Sequence, residues 1–333
     1  MAGLKAIKTK IRSIEKTEKV TKAMEAVSAA KMRKAQQVAI SSRAYARAAT
    51  SILARLSGTK QFSNHPLVRG TAREEKVLPA NGRQEFEGST FSSRAIYIVI
   101  TSDKGLAGAL NSAVLRATQD NIRSAGLSVS EVSIIAIGRK ANDFFTARGI
   151  EVVQYYSNND EIDGAAMQQI LTAARVRFES GAADTVKIAY QNFISTFEQR
   201  PTLRTIFPLS IEELQKVVND IQIKRPDAAN VSSDSSHRLS AETFAAQASY
   251  TVEPNEEEVL SAVVPMLAGI FLYHALLESQ ASEHSARMVS MKSASDKAAE
   301  LTDIFTLKYN KARQAAITQE ISEITGGLTS LSL

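Results

Sequence analysis

The residues with the clearest chemical potential lie in a short glycine-containing loop that follows an apolar run. The loop reads Ser102-Asp103-Lys104-Gly105-Leu106-Ala107-Gly108, which has the general composition of a phosphate-binding turn. It lacks both the GxxxxGK[ST] spacing of a phosphate loop and the GxGxxG spacing of a dinucleotide site. The composition therefore favours a turn capped by Asp103, with two glycines that ease the approach of helix and strand.

The histidines and paired carboxylates do not form a catalytic or metal pattern either. His274 and His284 fall ten residues apart on one apolar repeat, where packed or hydrogen-bonded histidines are commoner than ligands. Glu320 and Glu323 share a helix face without a nearby histidine or nucleophile, so solvated or partner-facing charge is expected. The sequence contains no HExxH and no GxSxG motif. We therefore predict no active site, no metal site and no cofactor in this chain.

The longest element predicted by the sequence lies at its C-terminal end. Residues 270–325 contain neither Gly nor Pro, and Pro265 should kink the helix or mark its effective start. A heptad repeat of this length predicts a helix far beyond the ~12-residue average, which needs a partner. The repeat consists of Leu260, Val263, Leu267, Ile270, His274, Leu277, Ala281, His284, Met288, Met291, Ser295 and Ala298.

The N-terminal stretch supplies a candidate partner helix. Residues 4–57 also lack Gly and Pro, which predicts one helix of roughly 52 residues. The apolar repeat slips once at Thr17 and Glu18, which relaxes a left-handed supercoil locally. Its apolar positions are Leu4, Ile7, Ile11 and Ile14 before the slip, then Val20, Met24 and Val27.

This N-terminal stretch is also strongly basic. Residues 1–56 carry 13 Lys or Arg and three acidic residues, whereas the whole chain has a formal net charge of +5. Such a segment should be drawn to an acidic surface. We expect the positive face to consist of Lys5, Lys8, Lys10, Lys16 and Lys19.

Between the two helices the pattern is that of an α/β domain. The apolar runs AIYIVITSD, VSIIAIG and EVVQYY alternate with helical segments, and TVKIAYQNF and TLRTIFPL can pair as a hairpin. This predicts a mostly parallel sheet with an antiparallel edge. The fold class is thus an α/β Rossmann-like domain inserted between N- and C-terminal helices that form a long antiparallel two-helix coiled coil. We predict a first helix (1–57), an exposed polar connection (58–93), the α/β domain (94–224), a polar loop (225–249) and the second helix (250–333).

Composition limits the compartment and the mode of membrane attachment. The chain has no Cys, which excludes disulfides and thiolate metal sites. We expect no apolar run of the ~18 residues needed to span a bilayer, and the first residues lack the apolar region of a signal peptide. The chain is expected to be soluble as made, although it could belong to a membrane-bound assembly.

Four blocks of sequence lie in order along the chain: IRSIEKTEKVTKAMEAVSAAKMRKA, SDKGLAGALN, ASEHSARMVSMKSASDKA and KARQAAITQEISEI. Together they resemble the gamma subunit of F-type, proton-translocating ATP synthases of the bacterial type. Residues 68–93 and 225–245 resemble insertions relative to the compact bacterial form.

The resemblance implies a non-catalytic central rotor, present in one copy per complex. Its rotation would couple proton translocation through the membrane ring to ATP synthesis or hydrolysis at the alpha/beta sites. The implied partners are three alpha and three beta subunits, the epsilon subunit, delta in the same complex, and the c-subunit ring, without nucleic acid. The implied location is the cytoplasmic side of the bacterial plasma (inner) membrane, as a peripheral protein.

The resemblance also implies roles for individual residues. Met24 and Arg287 match a coupling-sensitive region in the middle of the shaft, although ordinary coiled-coil packing and surface charge are the alternative for both. Glu253 matches the part that faces the c ring. The positions that meet the catch loops of the stator ring correspond to Arg313, Gln314, Thr318 and Glu320.

Two other functions deserve comparison. A nucleic-acid tether would use the basic arm, but the arm lacks the interleaved aromatic residues and basic-region pattern of such proteins. An independent α/β enzyme with helical arms would need a site in the central domain, and the sequence predicts none. Salt-resistant co-purification with an ATPase ring would distinguish the rotor from both.

Overall fold

The computed structural model describes residues 2–56, 62, 65–69, 94–158, 164–209 and 255–331. A long helix lies at each end of the chain, and strands and helices alternate between them in the sequence, as predicted. In chain order the elements are α1 (Ala2–Leu56), α2 (Pro66–Arg69), β1 (Ala95–Ile100), α3 (Leu110–Ser124), β2 (Val132–Ile137), α4 (Arg139–Thr146), β3 (Glu151–Tyr156), α5 (Gly164–Glu179), β4 (Thr185–Phe193), β5 (Gln199–Phe207) and α6 (Glu256–Leu331).

The five strands form one sheet in the order β3-β2-β1-β4-β5. β1 pairs in parallel with β2 and β4, β2 pairs in parallel with β3, and β5 is antiparallel to β4. Every residue of the central strand β1 is buried, as expected of a parallel strand covered on both faces. The predicted mostly parallel sheet with an antiparallel edge is therefore confirmed.

Alternate residues of β1 belong to two separate cores. Ile96, Ile98 and Ile100 face a core that includes side chains of α5 and of the first part of α6. Tyr97 and Val99 face a second core, built with α3 and α4. The period of two along the strand thus divides the helices between the two faces of the sheet.

Part of the segment predicted as an exposed connection lies inside the first core. Phe62 and Leu67 are each only 1% exposed, and the Leu209 N–H donates to the Leu67 carbonyl oxygen at 2.8 Å. The prediction of an exposed connection is therefore wrong for these residues, because their apolar side chains complete the covering of the sheet. Within this connection the structure describes Phe62 and residues 65–69, which include α2; its other residues, and all of 225–249, lie outside the described residues.

The helix α6 begins before Pro265 and continues through it. Asn255 stabilises its first turn, since Oδ1 accepts the Glu258 N–H at 2.8 Å and Nδ2 donates to the Glu258 carboxylate at 2.8 Å. Pro265 lies inside the helix and does not mark its start. The prediction of an effective start at Pro265 is therefore wrong.

One helix of the described chain is long and apolar enough to cross a membrane by length and composition alone. It is α6, in which residues 259–277 contain no charged side chain. This finding corrects the expectation that no apolar run reaches ~18 residues. Leu260, Val264, Leu267 and Leu272 of this run are buried against the sheet, so the core of the α/β domain accounts for its apolar character.

Contacts between Cα atoms divide the chain into two compact units. The coiled-coil unit comprises Met1–Lys31, Leu106–Gly108 and His284–Leu333, and the α/β unit comprises Met32–Gly105 and Ala109–Glu283. In the coiled-coil unit, Lys10 near the start of α1 lies against Phe305 far along α6, with Nζ 4.6 Å from the ring centroid. The predicted antiparallel two-helix coiled coil is thus confirmed.

Side-chain exposure shows which residues form the seam between these helices. In α1 the less exposed positions keep one unbroken three–four spacing, and they include the polar residues Glu18, Thr21 and Ser28. Val20 and Val27 lie outside it and are 58% and 56% exposed. The predicted slip to Val20, Met24 and Val27 is therefore wrong. The seam keeps its original spacing, because polar residues occupy the positions at which the apolar repeat is interrupted.

The seam of α6 extends beyond the repeat predicted from the sequence. After Ala298 the same spacing continues through less exposed side chains as far as Ala316. From Ile317 to Thr325 every side chain is exposed. The C-terminal helix therefore extends beyond the end of its partner within the coiled-coil unit. The added seam positions are Thr302, Phe305, Tyr309, Ala312 and Ala316.

Candidate functional site

The carboxyl edge of the sheet is the usual ligand site of a Rossmann-like fold, and here Asp103 fills it. Asp103 Oδ1 accepts the backbone N–H of Arg139, the first residue of α4, at 2.7 Å. Its Oδ2 accepts the Ser157 hydroxyl at 2.7 Å, and the Tyr155 hydroxyl donates to Oδ1 at 3.4 Å. Asp103 thus caps the neighbouring helix rather than its own turn, and its carboxylate stands where a phosphate would need to bind.

The groups around Asp103 are tied to the backbone. The Ser102 N–H donates to the Asn111 side-chain oxygen at 2.9 Å, and the Asn111 amide donates to the Ser102 hydroxyl at 2.7 Å. Partial burial, and then the nearby Asp103 carboxylate, raise the pKa of the Tyr155 phenol. These hydrogen bonds satisfy the polar groups from within the chain, so the side chains at this edge connect the ends of β1 and β3 with α3 and α4.

Backbone packing leaves little room at the same edge. Gly138 precedes α4 with φ of 95°, and a Cβ atom there would lie 2.1 Å from the Thr101 carbonyl oxygen. The Ala141 N–H donates to the Thr101 hydroxyl at 2.9 Å. Only glycine fits between the end of β1 and the start of α4.

The second half of the Asp103 loop belongs to the coiled-coil unit. Leu106 and Gly108 both adopt positive φ angles, of 66° and 58°. A Cβ atom on Gly108 would lie 3.3 Å from the Ser290 hydroxyl oxygen of α6. The glycine therefore allows this loop to approach the long helix closely.

The middle of the coiled coil contains the two residues predicted to act in coupling. Met24 is half-buried, and Arg287 is 8% exposed. Met24 lies fourteen residues along α1 from Lys10, and Met291 lies fourteen residues back along α6 from Phe305. Since the helices are antiparallel and Lys10 contacts Phe305, Met24 lies level with Met291, about one turn from Arg287. The structure thus places Met24 and Arg287 in one region of the coiled coil.

The five predicted basic residues are exposed, but they do not share one face. Lys5, Lys8, Lys16 and Lys19 lie on the flank or back of α1 on one side of the seam. Lys10 lies on the opposite flank, where its ammonium group packs over the Phe305 ring. The predicted positive face is therefore formed without Lys10, because a cation–π contact directs that side chain to the partner helix.

The predicted catch-loop residues lie at the exposed end of α6. Arg313, Gln314, Thr318 and Glu320 are all exposed. The Thr318 hydroxyl donates to the Gln314 carbonyl oxygen at 3.0 Å, so its hydrogen bond is made within the helix. Glu253, the predicted c-ring residue, lies outside the described residues.

The sequence analysis missed an apolar stripe at the same end of α6. Ile317, Ile321 and Ile324 are 46%, 59% and 65% exposed, at spacings of four and three residues. They share one face of a helix that has passed the end of its partner. Their own spacing of four and three residues, one residue out of step with the seam that runs through Ala316, was the signal that could have identified them.

Comparison with known proteins identifies the family. A sequence model described as ATP synthase matches residues 3–331. The chain is 35% identical over 332 residues to the ATP synthase gamma chain of Heliobacterium modesticaldum (strain ATCC 51547 / Ice1), covering 99% of this chain and 100% of the relative.

Solved structures share the fold at lower sequence identity. A chain of the Euglena gracilis mitochondrial ATP synthase (OSCP/F1/c-ring, rotational state 3) matches with a TM-score of 0.61 at 19% identity, covering 99% of this chain and 95% of that chain. A chain of the Tetrahymena thermophila mitochondrial ATP synthase central stalk and c-ring matches with a TM-score of 0.53 at 19% identity, covering 83% of this chain and 99% of that chain. Family model, relative and fold agree, and the chain belongs to the gamma-subunit family of ATP synthases.

Proposed function

We propose that this chain is a non-catalytic rotor, whose coiled coil turns inside a ring of catalytic subunits. A gamma subunit belongs to the central stalk of ATP synthase, in which rotation couples proton translocation to ATP synthesis or hydrolysis. The observation that carries the proposal is the end of α6, where side chains from Ile317 to Thr325 are exposed and include an apolar stripe. An apolar stripe that the described residues leave exposed is typical of a surface that contacts another protein.

The proposed partners are three alpha and three beta subunits around one copy of this chain, with epsilon, delta and the c-subunit ring in the same complex. The three exposed isoleucines would lie against an apolar collar of the ring. Arg313, Gln314, Thr318 and Glu320 would meet its polar catch loops. Because the contacts of the two kinds differ around α6, different shaft angles would favour different conformations of the catalytic subunits.

The proposed location is the cytoplasmic side of a bacterial plasma membrane, as a peripheral protein. Packing of Leu260, Val264 and Leu272 against the sheet supports peripheral attachment, since these side chains are committed to a protein core. Glu253 would face the c ring. The basic residues Lys5, Lys8, Lys16 and Lys19 would face acidic surface on the beta subunits, with each exposed contact worth only ~0–1 kcal/mol.

A lysine at position 24 tests the proposed coupling role. In Met24→Lys the new ammonium group should swing out of the half-buried site and pair with a carboxylate of the surrounding ring. Such a pair holds some shaft angles more tightly than others. We expect the complex to assemble and to keep most of its ATP hydrolysis, while ATP-driven proton pumping falls severalfold further. Both activities are measured on the same membranes.

Ala23→Lys is the matched control, because Ala23 is exposed on the back of the same helix turn. It adds the same charge without disturbing the flank of the seam, so pumping and hydrolysis should stay in proportion. If Met24→Lys also lowers the two activities in proportion, the defect lies in folding or assembly. The coupling role proposed for Met24 would then be lost.

A further inference from the structure

A short segment that covers the sheet is held in place through a histidine. This cover segment consists of His65 and α2 (Pro66–Arg69), and its Leu67 side chain is buried in the first core. The Leu67 N–H donates to Nδ1 of His65 at 3.3 Å, and the Leu67 carbonyl oxygen accepts the Leu209 N–H at 2.8 Å. The imidazole thus lies at the start of a segment whose burial completes the core.

The imidazole of His65 caps the first turn of α2. Pro66 has no N–H, so the Leu67 N–H is the first donor of this helix and needs an acceptor outside it. Nδ1 of His65 supplies that acceptor, as a serine or aspartate oxygen does at many helix starts. A ring nitrogen accepts a hydrogen bond only in the neutral imidazole, in which the other nitrogen carries the proton. The contact therefore exists in one protonation state of His65.

His65 also lines a cavity of about 480 Å³ that α5 and the start of α6 help to form. The charged side chains that line it, among the described residues, are Arg175 and Glu179 of α5 and Glu257 of α6. Arg175 faces Glu179, with 3.7 Å between Nε and the carboxylate oxygen. Burial lowers the pKa of His65, and the carboxylates of Glu179 and Glu257 oppose this shift only in part. The buried position of the cover segment therefore favours the neutral ring.

We propose that His65 makes the cover segment sensitive to pH: the neutral ring holds Leu67 against the sheet, and the protonated ring releases the segment. Protonation places an N–H opposite the Leu67 N–H, so that two donors face each other and the hydrogen bond is lost. The charged ring is also better solvated outside the core. The released segment thus binds the proton more tightly than the buried one, and acid favours release. This behaviour of the α/β unit does not depend on the proposed rotor contacts of the coiled coil.

Hydrogen exchange of the full-length chain, followed by NMR between about pH 5 and about pH 7.5, tests the proposal. The protection factor of the Leu209 amide reports on the cover segment, because its acceptor is the Leu67 carbonyl oxygen. We expect this factor to fall severalfold below about pH 6.5, by no more than about tenfold per pH unit for one proton. The Thr101 amide, which donates to the Ile137 carbonyl oxygen at 2.8 Å, is the internal reference and should keep its protection.

Two variants assign the pH dependence to His65. In His65→Asn the side-chain oxygen is as many bonds from the backbone as Nδ1, so it can accept the Leu67 N–H without titrating, and Leu209 should stay protected in acid. Glu257→Gln removes a carboxylate that attracts the protonated ring in the buried segment, so it should deepen the acid loss about twofold. Because Glu257 is exposed, this variant keeps the test decisive if His65→Asn fails to fold. Glu198→Gln is the matched control, because Glu198 is 56% exposed on the β4–β5 hairpin and does not line the cavity.

Protection of Leu209 that does not change with pH would overturn the proposal, as would the same acid loss in His65→Asn. An equal loss at Thr101 would mean that the whole α/β unit opens, and that the cover segment has no separate release. The imidazole signals of His65 are followed in the same titration. If the ring becomes protonated while Leu209 keeps its protection, Glu179 and Glu257 hold the charged ring in place, and the proposed release does not occur.

Discussion

The two ends of α6 show how one continuous helix can serve opposite purposes. From His274 to Ser282 every side chain is buried, including Glu278 and Gln280. From Ile317 to Thr325 every side chain is exposed, including three isoleucines. Hydrophobicity does not follow burial in either stretch, because the neighbouring elements decide what is covered.

The difference indicates what each end is made for. Buried polar side chains near the sheet are held by specific contacts; the Ser282 hydroxyl, for example, donates to the Gln191 carbonyl oxygen at 3.1 Å. Such contacts fix one arrangement of helix and sheet. The described residues leave Ile317, Ile321 and Ile324 46%, 59% and 65% exposed, which suits a surface that meets a partner. We expect substitutions in the buried part of α6 to lower stability much more than substitutions at its exposed end.

The largest contrast is expected between two glycines, one in each unit. Gly138→Ala in the α/β unit would place Cβ 2.1 Å from a backbone oxygen that cannot move aside. We expect it to lower the free energy of unfolding by more than about 4 kcal/mol. Gly108→Ala meets only the rotatable Ser290 hydroxyl at 3.3 Å and should cost about 1–2 kcal/mol.

Urea unfolding of the full-length variants, followed by circular dichroism, measures both glycine effects. Both positions have positive φ angles, so backbone strain alone would make the two losses similar. Equal losses would therefore contradict the steric argument for Gly138.

The next contrast lies between two apolar residues of α6. Leu272 is fully buried in the core of the α/β unit, so Leu272→Ala should destabilise the chain by about 2–5 kcal/mol through lost burial and a cavity. Ile321 is 59% exposed, so Ile321→Ala should change stability by less than about 0.5 kcal/mol. Thermal unfolding of the isolated chain gives both values. A large loss in Ile321→Ala would show that the end of α6 is covered within the chain itself.

The smallest effect concerns alkaline pH and belongs to the α/β unit. Burial raises the pKa of Tyr97 to about 12, and its hydroxyl donates to the Asn121 side-chain oxygen at 2.9 Å. The folded chain therefore keeps this proton at a pH where the unfolded chain loses it. The stabilisation is present below about pH 10 and is lost as the pH rises towards about 12.

This linkage predicts a loss of about 1.4 kcal/mol at pH 11 relative to pH 8 from Tyr97 alone. Urea unfolding at the two pH values should show that Tyr97→Phe removes this part of the alkaline loss. Tyr155→Phe is the comparison variant: the pKa of this phenol is also raised, but Tyr155 is 45% exposed, so its replacement should remove a smaller part of the alkaline loss. An unchanged pH slope in Tyr97→Phe would assign the alkaline loss to other groups.

Much of the fold could be predicted because its strands are continuous apolar runs. β1, β2 and β3 lie where the sequence predicts them, and the hairpin of β4 and β5 forms the antiparallel edge. The burial of Phe62 and Leu67 against the sheet could not be predicted, since two isolated apolar residues in a polar segment do not form a repeating pattern. Their burial depends on the distant elements that surround them.

The candidate site was predictable by type of element more than by residue. The family resemblance predicted contact residues at the end of α6 and a coupling role for Met24. The spacing of apolar residues along α1, however, predicted the wrong seam. Glu18 and Thr21 occupy seam positions because helix geometry continues a spacing of three and four whatever residues stand there. Asp103 was expected to cap its own turn, and it caps α4 because the topology brings the ends of β1 and β2 together.

The position of Pro265 has a mechanical consequence for α6. The helix has 76 residues, so at 1.5 Å per residue it extends for ~114 Å. Under an applied torque, a helix twists most readily where its ladder of hydrogen bonds lacks a donor, as it does at proline. Pro265 is the one proline of this helix, and the buried residues Val264 and Leu267 beside it are held in the sheet core. The point at which the helix lacks a hydrogen-bond donor is therefore held inside the core of the α/β unit, where neighbouring side chains resist its twisting.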